Sequence, residues 1–515
     1  MNLLLALPLL PLAVLLWLAL SRRREALETG WLVALVASLP LAVAVLMAPQ
    51  EMALPDLLVQ GSAALVLDGT ARAGLLLFGG GWFVAGLLMT HGGERSPAVM
   101  ALLVTLSGAL TVALGQGGPL VYAGLLALGY GLYGVVASER HDGWQRPGAV
   151  LIVFLVVSDL LVFEVLLDRT AHPSGAGLAL LAVIALALRG GVPPAHGWLP
   201  QLLQVGSAPA AVLLAMVPAG AAWLGGVKIM PSAGAGVAMF CLLVGLIGAA
   251  WAAVAGVVQR EERATLGYAV AASSALLLVA LPAGVAGMLP LPWLVLAVLA
   301  ACGAQPLLRF LAPGWLHDLA VALLLLAHGL AAGQVAVHAG TALPPGIALL
   351  PGLAAVLATF VLTLAVRRVG GPAVSPERST GLVFTPVALA VAGVGAAWWL
   401  APPGFASAWS APVAITLGLV AHRLTRERLS APFGAGDVFE PVESLTGRLV
   451  RAVGALCQQQ VARIRDACMG ALLGLWDGPA WARRMQQLDI RLRSWPATSL
   501  MMLAVALGAA YLLAR

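Results

Sequence analysis

The 515-residue chain is 61% hydrophobic and only 10% charged, with a formal net charge of +6. That balance excludes an ordinary soluble domain and describes a polytopic membrane protein, all-α because helices satisfy their own backbone groups in lipid. The positive charge follows from how arginine is shared between loops, so it does not imply a nucleic-acid partner.

At roughly 20 apolar residues per span, the chain divides into about sixteen candidate transmembrane helices. They lie near 2–20, 31–48, 70–90, 97–115, 119–137, 148–167, 175–189, 207–229, 234–258, 266–284, 293–311, 317–338, 346–366, 383–401, 405–422 and 497–514. The first lacks a basic segment ahead of its apolar run, and Arg22–Arg24 follow it, the order of a retained span rather than a cleaved signal. With the N-terminus outside, the cytoplasmic loops hold Arg22–Arg24, Arg95, Arg140, Arg146, Arg260, Arg263, Arg309, Arg367, Arg368, Arg378, Arg423, Arg426 and Arg428. The opposite loops hold little beyond Arg72, Arg169 and Lys228. This is the positive-inside asymmetry of a bacterial inner-membrane protein, with both termini on the outer face.

Between the second and third spans, Gln50 to Asp68 reads as an outward surface loop. Asp68 and Arg72 open the third span one turn apart, the spacing of an ion pair. Spans four and five carry no acidic or basic residue. The sixth carries Asp159 and Glu164, and carboxylates in a bilayer cost several kcal/mol unless paired or hydrated, so both are candidate site residues. Their spacing of five puts them on different helix faces, and Glu164 lies near the outer end, within reach of water.

Arg189-Gly-Gly-Val-Pro-Pro-Ala-His-Gly-Trp-Leu-Pro200 then interrupts the apolar pattern at Gly190, Gly191, Pro193 and Pro194, leaving Arg189 and His196 beside the interruption. A membrane helix breaks only where protein or water satisfies the freed backbone, so the stretch marks an internal pathway or packing joint. An ordinary turn between two spans has the same punctuation. Lys228, the chain's single lysine, lies near an outer boundary where its ammonium can snorkel. Gln259-Arg-Glu-Glu-Arg263 forms a charged cytoplasmic turn before the tenth span.

Spans eleven and twelve contain Gln305, Arg309, His317, Asp318 and His328, of which only His328 is mid-span. An imidazole ordinarily titrates near neutrality, which suits either a proton relay or a hydrogen-bonded packing role. From Asp437 to Arg493 the chain is charged, with Leu449, Val453, Leu456, Val461, Ile464, Met469 and Leu473 at helical spacing, an amphipathic helix lying along the membrane or a partner. Helical from Asp437 to Leu488, it would reach on the order of 75 Å. Cys241, Cys302, Cys457 and Cys468 show no metal or disulfide spacing. No metal, nucleotide, flavin, quinone or iron–sulfur motif is present, so no cofactor is expected and the chain has no catalytic motif of its own.

Arg189 to Pro200, followed by Ser207-Ala-Pro-Ala-Ala-Val-Leu-Leu214, resembles the signature of the antiporter-like membrane subunits of respiratory complex I, membrane-bound hydrogenases and multisubunit cation/proton antiporters. Glu262-Arg-Ala-Thr-Leu-Gly-Tyr-Ala269 and Phe310-Leu-Ala-Pro-Gly314 resemble two further motifs of that family. The resemblance covers most of the chain. It implies N-terminal spans over 1–96, a first antiporter-like half over 97–230, a second, degenerate half related by inverted repeat over 231–366, and additional spans over 367–436. A lateral amphipathic helix over 437–496 and a final span over 497–515 complete it. The family moves protons through a fifth-helix glutamate, a seventh-helix lysine, an eighth-helix base and groups in helices eleven and twelve. Here those positions correspond to Gly124, Arg189, Pro218, Cys302 and Pro306. An arginine keeps the charge but does not release its proton in an accessible range.

Three functions follow as expectations. The first is a translocating subunit of a respiratory, hydrogenase or antiporter-type complex, with other membrane subunits as partners and Asp159, Arg189, His196 and His328 as its polar axis. The second is a non-conducting scaffold that binds those partners, motivated by the lost titratable positions. The third is the membrane partner of an inorganic-carbon uptake complex.

Overall fold

The computed structural model describes residues 3–21, 26–54, 63–92, 96–138, 142–171, 176–230, 234–259, 261–284, 315–368 and 410–425. The expected spans 293–311 and 383–401, the lateral helix, the final span, Cys302, Pro306 and the Phe310 motif lie outside these residues. The described helices are α1 (Leu3–Ser21), α2 (Ala26–Leu46), α3 (Gly69–Gly92), α4 (Ser96–Leu114), α5 (Gly118–Ala137), α6 (Gln145–Ala171) and α7 (Ala176–Gly190). They continue as α8 (Trp198–Val205), α9 (Ala208–Ile229), α10 (Ala235–Val258), α11 (Glu262–Ala280), α12 (Trp315–Thr341), α13 (Leu350–Arg368) and α14 (Ser410–Thr425). Among the described residues, nine helices are long and apolar enough to cross a bilayer. The protein is a multi-pass membrane protein, and the helices follow the spans read from hydropathy within a few residues.

α11 is buried from Ala264 to Ala280 and α9 almost throughout, whereas α10 turns Leu243, Ile247 and Val254 outward at 53%, 68% and 64% exposure. Lipid offers no hydrophobic driving force between helices, so close approach depends on small residues. α9 supplies them, with Gly220 against Leu77 and Phe78 of α3 and Gly225 against Leu125 of α5 and Leu186 of α7. α4 and α5 meet backbone to backbone. A Cβ at Gly124 would stand 2.9 Å from the Val112 nitrogen, and one at Gly131 would stand 2.9 Å from that of Thr105.

The segment expected as a surface loop contains structure. β1 (Gln50–Ala53) pairs antiparallel with β2 (Ala64–Leu67), Gln50 opposite Leu67 and Ala53 opposite Ala64. β2 in turn pairs with β3 (Gly115–Gln116), so the sheet ties the α2–α3 connection to the α4–α5 turn. Ala64, Leu65 and Leu67 are buried, which is why a stretch of mixed polarity orders here. Asp68 and Arg72 do not form the expected ion pair. Asp68 Oδ1 accepts from the Ala71 amide at 2.7 Å, capping α3, and the Arg72 guanidinium donates to the Met47 carbonyl.

Candidate functional site

α7 is 15 residues long, about 22 Å, too short for a hydrocarbon core of about 30 Å. It stops because Gly191 adopts φ +65°, the left-handed conformation glycine tolerates, with Val192 N donating to Ala187 O at 3.0 Å and Gly191 N to Leu188 O at 3.4 Å. The next two carbonyls, of Arg189 and Gly190, would accept helical bonds from residues 193 and 194, and both are prolines without an N–H. The Pro193–Pro194 peptide is cis. The chain then resumes as α8, eight residues long, ahead of α9.

Arg189 reaches from the last turn of α7 to Asp159 of α6, and the two form an ion pair with side chains 1% and 6% exposed. Asp159 stands about 21 Å from the start of α6 and about 18 Å from its end, so the pair sits near the middle of that helix. Arg189 Nη1 donates to the Leu125 carbonyl at 3.0 Å and Nε to Ser158 Oγ at 3.4 Å, while the Tyr130 hydroxyl is placed to donate to Asp159. Gly129 makes the room: a Cβ there would lie 3.0 Å from Nη1. Breaking a buried pair by removing one partner typically costs about 3–5 kcal/mol, so the packing here depends on both members.

A second polar cluster joins α11, α12 and α13. His328, 13 residues from either end of α12 and fully buried, has Nε2 3.4 Å from Ser273 Oγ and Nδ1 3.2 Å from Thr359 Oγ1. Ser273 donates to Ala269 O at 2.9 Å, which leaves its oxygen to accept from Nε2–H. The Thr359 hydroxyl then donates to a neutral imidazole at Nδ1, or turns to accept from an imidazolium. The cage therefore fits both charge states, the property a proton-carrying histidine requires.

The remaining candidates sit elsewhere. His196, 2% exposed, packs in the break with its ring 5.5 Å from that of Tyr268 and hydrogen-bonds to the backbone of Pro194, so it clamps α11 against the turn. Gly267 backs directly on Pro200, and Arg263 Nη1 donates to Gly206 O at 3.2 Å, so the two longest motif stretches face each other across α8 and α11. Glu164 is not brought to the pair. It lies on the outward face of α6 with Leu160 and Leu167, because five residues turn the helix about 140° beyond Asp159.

Lys228 does not snorkel into solvent as its place near a span end suggests. Its Nζ donates to Ala113 O at 2.6 Å and Gly115 O at 2.7 Å, satisfying carbonyls at the α4 terminus where the helix dipole also favours a cation. Sequence reasoning missed Ser158, Leu125, Gly129 and Tyr130. Only the glycine-rich face of α5 signalled them, and glycines there also serve α4 packing.

Comparison with known proteins gives the same picture. No family model matches the chain. A 150-residue stretch is 30% identical to formate hydrogenlyase subunit 3 of Escherichia coli (strain K12), covering 28% of this chain and 23% of that subunit. By structure the chain is similar to one in the Mrp complex from Dietzia sp. DQ12-45-1b, with TM-score 0.62 and 16% identity over 97% of this chain and 63% of that one. It is also similar to a chain of respiratory complex I from Thermus thermophilus with bound aureothin, with TM-score 0.55 and 17% identity over 82% of this chain and 96% of that one. The match thus spans less than a quarter of the curated relative's length. By fold, the chain is similar to chains of the Mrp complex and of respiratory complex I.

Proposed function

We propose that the chain is a membrane subunit of a multisubunit ion-translocating complex, in which the Asp159–Arg189 pair is a fixed electrostatic element and His328 is the group that takes and releases a proton. The observation that carries this reading is the hydroxyl cage of His328, which serves the imidazole in either charge state at mid-membrane depth. Arg189 keeps its charge throughout. Charge displaced in a neighbouring subunit would loosen or tighten its hold on Asp159, and the altered field would bias proton affinity at His328. His196 serves as a clamp beside the break. The full complement of about sixteen spans, the inverted-repeat halves, a bacterial inner-membrane location and outward termini belong to the same proposal.

Proton uptake by the co-purifying complex in proteoliposomes tests it. Asp159→Ala and His328→Ala, with Asp159→Asn and His328→Gln as gentler variants, should impair pumping while the complex still assembles. Unchanged pumping in the assembled variants would remove the idea.

One observation favours a scaffold instead. At Gly124, the counterpart of the family's glutamate, the α4 backbone occupies the space a side chain would need. A scaffold would tolerate every substitution at His328 but would lose its partners when the chain is truncated after Arg428. Intact assembly after that truncation would count against the scaffold.

A further inference from the structure

Glu164 is a carboxylate that the bundle interior does not use. α6 is thinly covered: 39% of its apolar stretch Gln145–Leu167 is buried, against 94% for that of α9. At about 100° per residue, its exposed positions Val156, Val157, Leu160, Glu164 and Leu167 fall on one stripe roughly 100° wide. Glu164 stands inside that stripe, with Leu160 one turn before it and Leu167 one turn after it, 63% and 47% exposed. Among the described residues, no hydrogen bond or ion pair reaches its carboxylate. An ionised side chain held among apolar ones in a bilayer is strongly disfavoured unless another group or a water-filled cavity answers it. Water beyond the end of α6, about 10 Å further on at Ala171, is the competing partner. Leu167 stands in between, and glutamate has a shorter stem than the lysine and arginine side chains that snorkel.

Lipid tails suit the valines and leucines of this stripe and leave its charge unanswered. A second copy docked through the same face about a twofold axis would set one Glu164 against the other, and like charges at close range repel. A helix with a basic residue answers both parts, packing on the apolar positions and neutralising the carboxylate. We propose that the exposed stripe of α6 is the docking surface for a transmembrane helix of a partner subunit that carries an arginine or lysine at the depth of Glu164. The inference rests on the chain's being a subunit of a membrane complex, and not on whether it conducts protons.

Photocrosslinking in the intact complex in its own membrane tests it, with a benzophenone amino acid placed at Leu160 or at Leu167 and the attached peptide identified by mass spectrometry. The expected attachment is to a transmembrane segment of another subunit, with an arginine or lysine within one helical turn of the attachment point. Glu164→Lys should lower that crosslink several-fold, and exchanging the partner's basic residue for glutamate in the same background should restore it. Glu164→Gln, which keeps the shape and removes the charge, should lower it too and replaces Glu164→Lys should that variant not insert. Attachment to lipid alone, to a second copy or to another segment of this chain would overturn the proposal, as would a crosslink indifferent to the charge at 164. A chain that purifies without any membrane partner would sink the proposed function as well, whereas a complex that assembles but crosslinks elsewhere sinks only the docking surface.

Discussion

Asp159 and Arg189 form a charge pair in an otherwise largely apolar interior. The guanidinium is committed on three sides, to a carboxylate, a backbone carbonyl and a hydroxyl, and Gly129 leaves it no slack. Asp159→Ala should lower stability by about 3–5 kcal/mol, because it strands a buried cation. The double substitution Asp159→Ala/Arg189→Met should recover a good part of that loss, read as unfolding midpoints in a denaturant series. A double variant no more stable than Asp159→Ala would mean that packing, and not charge, is what the pair supplies. Lysine at 189 is a different change. It keeps the charge but cannot bond on three sides in one plane, so Arg189→Lys should fall between wild type and the alanine variants.

At the scale of elements, glycine positions decide which helices can approach. Gly191→Ala should cost about 1–2 kcal/mol, since a Cβ is disfavoured at positive φ and would also press on the Trp198 ring at 3.2 Å. A Cβ at Gly177 would meet nothing within 4 Å, so Gly177→Ala is the matched control and should be neutral or slightly stabilising. Introducing a glutamate at 124 should destabilise the fold. The Val112 amide and the Gly108 carbonyl stand 2.9 Å and 3.1 Å from where its Cβ would be, and thermal unfolding in detergent should shift sharply downward. A folded, stable Gly124→Glu protein would show that α4 and α5 can separate. Lys228→Met leaves the end of α4 uncapped and should cost roughly 1–2 kcal/mol, with the loss centred on the three-stranded sheet in hydrogen exchange.

For the molecule as a whole, the arginine asymmetry predicts sidedness. Gln116 and Gln145 are exposed; Gln116 precedes the start of α5 and Gln145, the first residue of α6, follows the end of α5, one helix crossing apart. In a background with the native cysteines replaced, Gln145→Cys should react with an impermeant maleimide only from the cytoplasmic side and Gln116→Cys only from outside. Reversed labelling would invert the topology and with it the direction assigned to every loop. Between Val156 and Leu167 the outward face of α6 is apolar except at Glu164, and α10 turns out Leu243, Ile247 and Val254, so this surface is built to meet lipid or other membrane helices, and Glu164 takes no part in the interior pair.

The sequence by itself determined that the chain spans the membrane many times, where most of the described helices lie to within about five residues although not α8, and that Asp159, Arg189 and His328 are polar groups placed against a steep solvation penalty. Hydropathy and helix-breaking residues are local properties, and the bilayer converts them into structure with little room for alternatives. The break at Arg189 was legible for the same reason. Only the tertiary structure decided what those groups meet: that Arg189 pairs with Asp159, that Glu164 faces away, that Lys228 caps α4, and that a stretch read as loop forms a sheet. These depend on which helix faces come together, which is set by small residues such as Gly124, Gly129 and Gly220. Glycine spacing reports that a close approach exists, but not what lies on the other side of it.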